Sequence, residues 1–415
     1  MTQLNDGPTL LQVQRKGAIQ NFSPPDLPEE GEGAKKRKPL MCSRCGLCYT
    51  DHRDKLAEAC VFVENRYEAL EQQLHGRGRQ HDSDEDMFGI YRRMYVARMA
   101  KPVEGAQWSG MVTSLATMLL EKKLVDGVIC VQAHPDTRFK PMPTLATTAE
   151  EVRAAAGNKP CLSHNLSALK QAEQKGVKRL AYIGNGCQTH ALRAIQAKLP
   201  FEKIYCIGLP CTDIVSYQNL MKFMGLISTS AETVVHMEFM PDYHVWLRHE
   251  DGHTERVSYF ALPMEKMGDD IFPDSCLSCF DYTNALSDIT IGYLGASMPF
   301  QWILARTETG EELFEMLRPY LEFAPITESG KREKIVLQSI KALSRGPRTK
   351  PLEPWKVKLL TFVISNFGLK GVEFARATLT MKWARNLHFI RTHYPDHEAE
   401  LVPGFARRVL SKFGM

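Results

Sequence analysis

Three cysteines at two-residue gaps, Cys42, Cys45 and Cys48, are the residues of this chain best suited to chemistry. In the run Met41-Cys42-Ser43-Arg44-Cys45-Gly46-Leu47-Cys48, one short loop can present three thiolates to three corners of an iron–sulfur cube. Cys60 follows after a short polar segment and is the nearest candidate for the fourth corner. Four thiolates also suit tetrahedral zinc, but zinc loops more often present two Cys-x2-Cys pairs than three cysteines in a row. A 4Fe-4S site is therefore expected, with structural zinc as the alternative.

A second thiol set lies in the middle of the chain. Gly184-Asn185-Gly186-Cys187, Gly208-Leu209-Pro210-Cys211 and Ser275-Cys276-Leu277-Ser278-Cys279 each place cysteine at a turn. The apolar runs at 181–183 and 204–207 predict strands that stop at the first two turns. Loops that follow parallel strands converge on one crevice, so Cys187 and Cys211 can meet there and be joined by Cys276 and Cys279. Cys130 and Cys206 fall in apolar strand patterns and read as core residues, and Cys161 reads as a partly exposed structural thiol.

The elements that must position these thiols follow from periodicity. With 415 residues, 44% of them hydrophobic, and a formal charge of +4, the chain can bury a sizeable core. Helices are predicted over 109–120 and 166–174 and a strand over 127–131, an alternation that argues for α/β layering. Residues 234–239, 244–248 and 256–260 read as antiparallel strands separated by Pro241-Asp242 and Asp251-Gly252 turns. Helical spacing returns over 311–321, 334–343, 355–367 and 372–383.

Composition excludes some function classes. Residues 1–20 hold no long apolar run, and no stretch of about 18 apolar residues exists to span a membrane, so a cytoplasmic location is expected. In that reducing compartment the eleven cysteines read as ligands or core residues rather than bridges. The basic run Lys35-Lys36-Arg37-Lys38 lacks interleaved aromatic residues and is opposed by Glu29, Glu30 and Glu32, so nucleic acid is not an expected partner. The apolar run 359–364, flanked by Lys356, Lys358 and Lys370, allows peripheral contact with a membrane or a greasy pigment, but its shortness favours a buried helix face.

Between the two thiol sets, Gly105-Ala106-Gln107-Trp108-Ser109-Gly110 joins a loop to a helix, where small residues and N-terminal amides can hold a phosphate. The alternative makes Ser109 an N-cap and Trp108 a staple into the core. Together with His75-Gly76-Arg77-Gly78-Arg79, Gly186-Cys187-Gln188, Pro210-Cys211 and Cys276-Leu277-Ser278-Cys279-Phe280-Asp281-Tyr282, these motifs resemble the beta-subunit family of deazaflavin (coenzyme F-420) hydrogenases and dehydrogenases. The chlorophyll-pathway branch of that family is the most similar, from about Pro39 to the C-terminus.

The resemblance implies FAD and two 4Fe-4S clusters. It would assign Cys42, Cys45, Cys48 and Cys60 to one cluster and Cys187, Cys211, Cys276 and Cys279 to the other. Gly105, Gln107, Trp108, Ser109 and Gly110 would cradle FAD, with Lys159, Ser163 and Asn165 as further partners; a turn whose Ser163 or Asn165 caps the next helix is the other reading. From composition, the strand–helix alternation and the helical spacing toward the C-terminus together with the resemblance, the expected fold is α/β with mixed α+β character. It comprises a flexible leader (1–38), an N-terminal iron–sulfur segment (39–100), a flavin-binding core that carries the second cluster and added antiparallel strands (101–307), and a C-terminal helical cover (308–415). The implied activity is reduction of the 8-vinyl group of a divinyl chlorophyllide or protochlorophyllide by reduced ferredoxin. Reduction of a 7-hydroxymethyl chlorophyll and F-420-linked electron transfer are the alternatives. Asp281, Tyr282 and His190 are the candidate proton donors. Arg77 and Arg79 could grip propionate or phosphate, or form an exposed basic loop. No motif speaks to oligomeric state.

Overall fold

The computed structural model describes residues 41–268, 270–343 and 352–415. The leader expected over 1–38 lies outside the described residues. Residues 41–415 form one compact unit.

Eight strands share one sheet: β1 (Arg93–Met99), β2 (Gly127–His134), β3 (Thr137–Ala146), β4 (Arg179–Gly184), β5 (Lys203–Gly208) and, after a separate three-stranded sheet, β9 (Ile289–Gly292), β10 (Gln301–Ala305) and β11 (Leu321–Ala324). The separate sheet consists of β6 (Val234–Met240), β7 (His244–His249) and β8 (Thr254–Ser258), all antiparallel. In the large sheet the order is β11-β1-β10-β9-β5-β4-β2-β3. Strands β2, β4, β5 and β9 run parallel at its centre and antiparallel pairs flank them. Strands β4 and β5 are apolar on both faces because helices cover both. Strand β3 carries Pro141 and Pro143, which its edge position tolerates because one side of the strand makes no ladder bonds.

One face of the sheet is covered by α1 (Met111–Glu121) and the other by α2 (Ala168–Gln174) and α3 (Gly186–Ile195). Helix α4 (Tyr217–Ile227) packs Leu220, Phe223 and Met224 on the three-stranded sheet, and α5 (Glu308–Leu317) joins α1. Each fully buried Leu or Phe in these layers contributes about 1.5–3 kcal/mol. Helix α6 (Pro354–Phe367) is followed by α7 (Val372–His393) and α8 (Gly404–Ser411), and the last two enclose Tyr67 and Leu70 through Trp383 and Phe405.

Two predicted elements end differently. The helix expected over 311–321 stops at Leu317, and residues 321–324 pair with β1 instead. Pro319 lacks the amide needed to continue the helical ladder. The apolar run 359–364 is not a buried helix face: Val357 is the buried residue of α6, whereas Leu359 and Phe362 are exposed.

Candidate functional site

The turn after β4 leads straight into α3, whose start is closed by a capping box between Asn185 and Gln188. That box fixes Cys187 in the first helical turn. Gly186 precedes it because a β-carbon there would stand 2.3 Å from Asp281 Oδ2. Cys211 follows β5, and its amide donates to the Tyr282 carbonyl at 2.8 Å. Cys276 lies in the one-turn helix Asp274–Leu277, with Cys279 just after it. Asn284 ties this loop to the end of β4 by donating to the Gly184 carbonyl at 2.7 Å.

The four thiols thereby line one cavity, together with Ser43 and Phe62 from the N-terminal segment. Burial pushes Cys187 and Cys211 well above the ordinary thiol range, with neighbouring thiols adding to the rise, and raises Cys276 to about 12. Such a donor set stays protonated at neutral pH unless a cationic centre offsets the repulsion. Among the described residues no three His, Cys, Asp or Glu side chains close up enough to hold a single ion. A four-iron cube, with a ligand at each corner, spans a wider frame than one tetrahedral ion.

Helix α7 supports this cavity from behind. Lys382, nearly fully buried, donates to the Thr212 carbonyl and to Asp213 at 3.0 Å, and Arg385 reaches the same carboxylate at 2.9 Å. One turn on, Asn386 donates to the carbonyls of Cys276 at 3.1 Å and Cys279 at 2.7 Å. These supporting residues escaped the sequence reading; the i, i+3, i+4 spacing of Lys382, Arg385 and Asn386 on one helix face was the available signal.

The first cysteine run packs against the same region. Gly46 has a φ of +95°, and a β-carbon there would lie 2.4 Å from the His164 carbonyl oxygen. The Cys45 carbonyl accepts from the Leu166 amide at 2.8 Å, and the Arg44 amide donates to Cys42 Sγ at 3.3 Å. Cys42 and Cys48 are exposed, whereas Cys45 is pushed up to about 12 by burial, with Cys60 and Cys42 contributing. Ser43, between Cys42 and Cys45, and Phe62, two residues after Cys60, line the inner cavity, which makes the two cysteine sets neighbours. Cys130 and Cys206 are buried in the core as expected, but Cys161 is buried as well, in the cluster under α4. Its short parallel pairing with Val215 draws it inward.

In the glycine loop, Gly110 and not Ser109 caps α1, with a φ of +81° and no side-chain cap, so the first-turn amides have no side-chain acceptor. Ser109 Oγ accepts from the Met99 amide at 3.1 Å and donates to Gln301 at 3.0 Å, pinning the loop to β1 and β10. Trp108 is not a core staple: half-buried, it stacks on Tyr293 at 5.3 Å and donates its backbone amide to Glu238. Gln107 is exposed, and Gly105 has open space around it.

Residues 157–165 run from this loop to the thiol cavity. Gly157 lies against the Gly105 carbonyl, and Ser163 lines the cavity with a buried hydroxyl that has no partner. Asn165 Oδ1 is likewise buried and unpartnered. Neither side chain caps the following helix. Lys159 turns the other way, donating to the carbonyls of Ala155, Ala156 and Gly157 at 2.6–3.1 Å, and burial lowers it to about 8.

The candidate acids differ in what they touch. His190 is fully buried; Nδ1 lies 3.1 Å from the Ala59 carbonyl and Nε2 accepts from the Arg66 amide, so neither nitrogen is available to pass a proton onward. Tyr282 donates to the Tyr293 carbonyl at 3.0 Å. Asp281 alone of the three lines the thiol cavity, where it accepts from Tyr67 and the Ala285 amide. Arg77 and Arg79 are not free to grip a ligand: each forks onto a carboxylate, Arg77 on Glu85 and Arg79 on Glu71, but Gly76, Arg77 and Gly78 form an exposed loop while Arg79 turns inward and stacks 3.6 Å from the Phe405 ring.

The fold and this placement of thiols define an α/β protein of the hydrogenase beta-subunit type. The chain belongs to the coenzyme F420 hydrogenase/dehydrogenase beta-subunit family: the N-terminal family model matches residues 94–170 and the C-terminal model residues 177–329. An uncharacterized protein of Nostoc is 44% identical over 91% of this chain and 95% of its own. The chloroplastic 7-hydroxymethyl chlorophyll a reductase of Oryza sativa is 42% identical over 90% of this chain and 82% of its own. The F420-reducing [NiFe] hydrogenase complex of Methanosarcina barkeri contains a chain that superposes with a TM-score of 0.53, at 24% identity, over 65% of this chain and 98% of that one; this likeness concerns the fold.

Proposed function

We propose that the chain is an iron–sulfur flavoprotein that reduces the 8-vinyl group of divinyl chlorophyllide or protochlorophyllide to ethyl, using reduced ferredoxin. The observation that carries the redox part is the adjacency of two cysteine quartets, one reaching the surface at Cys42 and Cys48 and one lining a buried cavity. Cys42, Cys45, Cys48 and Cys60 would hold one 4Fe-4S cluster, and Cys187, Cys211, Cys276 and Cys279 the other. The uncapped start of α1 would receive FAD phosphate, beside the Trp108–Tyr293 stack. The unpartnered Ser163 hydroxyl and Asn165 carbonyl oxygen would meet polar atoms of the same group.

When bound, the clusters pass electrons singly and the flavin collects them in pairs for hydride transfer. The chain's own contribution is placement and exclusion of water. Exposed Cys42 and Cys48 mark where an electron donor approaches, and Phe62 and Asp281 wall the inner cavity. Saturating the vinyl group consumes two electrons and two protons.

A second reading, reduction of a 7-hydroxymethyl pigment with loss of water, is favoured by the rice relative. Anaerobic assay of the purified protein with reduced ferredoxin against divinyl chlorophyllide, 7-hydroxymethyl chlorophyll a and oxidised F-420 separates the readings. An ethyl product from the divinyl pigment is expected. Turnover of the hydroxymethyl pigment alone selects the second reading, and turnover of F-420 alone overturns both.

A further inference from the structure

Helix α6 carries apolar residues all round yet lies on the surface. Val357, Leu360, Thr361 and Ile364 turn toward the protein, where Thr361 Oγ1 meets Ser258 Oγ at 2.9 Å and the helix packs on Tyr259–Ala261. The opposite side carries Trp355, Leu359, Phe362, Val363 and Phe367, exposed by 60, 54, 60, 42 and 77%. At about 100° per residue these five form one stripe. Lys358 borders it on one side, Lys356 lies near its other edge between Val363 and Phe367, and Lys370 follows just beyond the helix end.

A contiguous exposed apolar stripe of this kind needs a partner. The helix has 14 residues, too few for the roughly 20 that span a bilayer, so it suits lying in the interface plane. Aromatic and aliphatic side chains on the outer face with lysines along its borders are the composition of an interfacial helix, the lysine stems lying along the apolar zone and the ammonium groups reaching headgroups. Over residues 353–370 three lysines stand against a single acid, Glu353, which already pairs with Lys356 at 2.9 Å. Two copies meeting symmetrically through this face would oppose these lysines, whereas an anionic surface would satisfy them.

We propose that α6 docks the protein on a bilayer containing anionic lipid, with Trp355, Leu359, Phe362 and Phe367 inserted at the headgroup boundary and Lys356, Lys358 and Lys370 on the lipid charges. Docking stands apart from the pigment reading, since it needs only this surface. On the inner side of α6 a row of packed rings, Tyr259, Tyr243, Phe374, Tyr293 and Trp108, neighbours at 5.3–6.3 Å, leads from the base of the helix to the glycine loop.

The test is co-sedimentation of the purified full chain with phosphatidylcholine vesicles, with and without phosphatidylglycerol, at low and high salt. Binding is expected to the anionic vesicles and to weaken with salt. Lys358→Glu lowers partitioning by about fivefold or more, and Phe362→Ser with Phe367→Ser by about tenfold or more, while far-ultraviolet circular dichroism and thermal midpoint match the parent. Equal partitioning of parent and variants, or no sedimentation with anionic vesicles, overturns the proposal. So does a concentration-dependent oligomer that Phe362→Ser abolishes, which would assign the stripe to a second copy. Reduction of detergent-dispersed pigment reads the proposed activity separately, because failure to bind vesicles leaves that reaction untouched.

Discussion

One added methyl group is enough to disturb the inner thiol cavity. In Gly186→Ala the new β-carbon would press on Asp281 Oδ2, forcing a shift in the turn that presents Cys187. A loss of about 1–3 kcal/mol in unfolding free energy is expected from this overpacking, and chemical denaturation measures it. Gly46→Ala is expected to loosen the outer cysteine run, since its φ and the His164 carbonyl both reject a side chain; limited proteolysis near Cys48 would reveal the change. His190 belongs to the same scale. His190→Leu leaves the Ala59 carbonyl and Arg66 amide without their partner, at about 1–3 kcal/mol for each group left buried and unpaired. At this scale the sequence was readable where turns follow strands, as for Cys187 and Cys211, which line one cavity with Cys276 and Cys279. It was opaque where a side chain finds its partner in the folded chain: nothing local shows that Arg77 and Arg79 are consumed by Glu85 and Glu71, or that Lys159 is consumed by the carbonyls of Ala155, Ala156 and Gly157.

Among the elements, α7 has the most direct hold on the inner cavity, through Lys382, Arg385 and Asn386. In Lys382→Met, Asp213 keeps Arg385 as its partner while a buried cation beside the thiols is lost. If a cluster occupies the cavity, its reduction potential is expected to fall, because a nearby positive charge favours the electron-rich state. Redox titration followed by electron paramagnetic resonance measures the shift; an unchanged potential would mean that Lys382 only braces the loop. Strands β4 and β5, α1 and the antiparallel set β6–β8 were legible because each keeps one hydrophobic period between turn residues. Strands β3 and β11 were not, since prolines inside β3 and the helix-like run into Pro319 hide a pairing that only their neighbours in the sheet dictate.

Across the whole molecule, folding withdraws two imidazoles from water. Burial lowers His75 and His190 from 6.5 to about 4. Their folded values lie below the unfolded ones, so the unfolded chain takes up protons first, and their contribution to stability is intact above pH 6.5 and lost as pH falls toward 4. The thermal midpoint is expected to decline through that window, and a midpoint that stayed level would contradict the burial argument. The α/β class was legible from alternation along the chain, but the exposure of α6 was not: its sequence fits a buried helix as well as an interfacial one, and only the finished fold shows which side is left uncovered.

The most direct measurement is the content of the anaerobically purified full chain: iron, acid-labile sulfide, zinc and released flavin per polypeptide, with spectra before and after reduction. The account predicts about eight irons with matching sulfide, one FAD, and a brown absorbance that bleaches on reduction. Stoichiometric zinc with negligible iron and no flavin would contradict it.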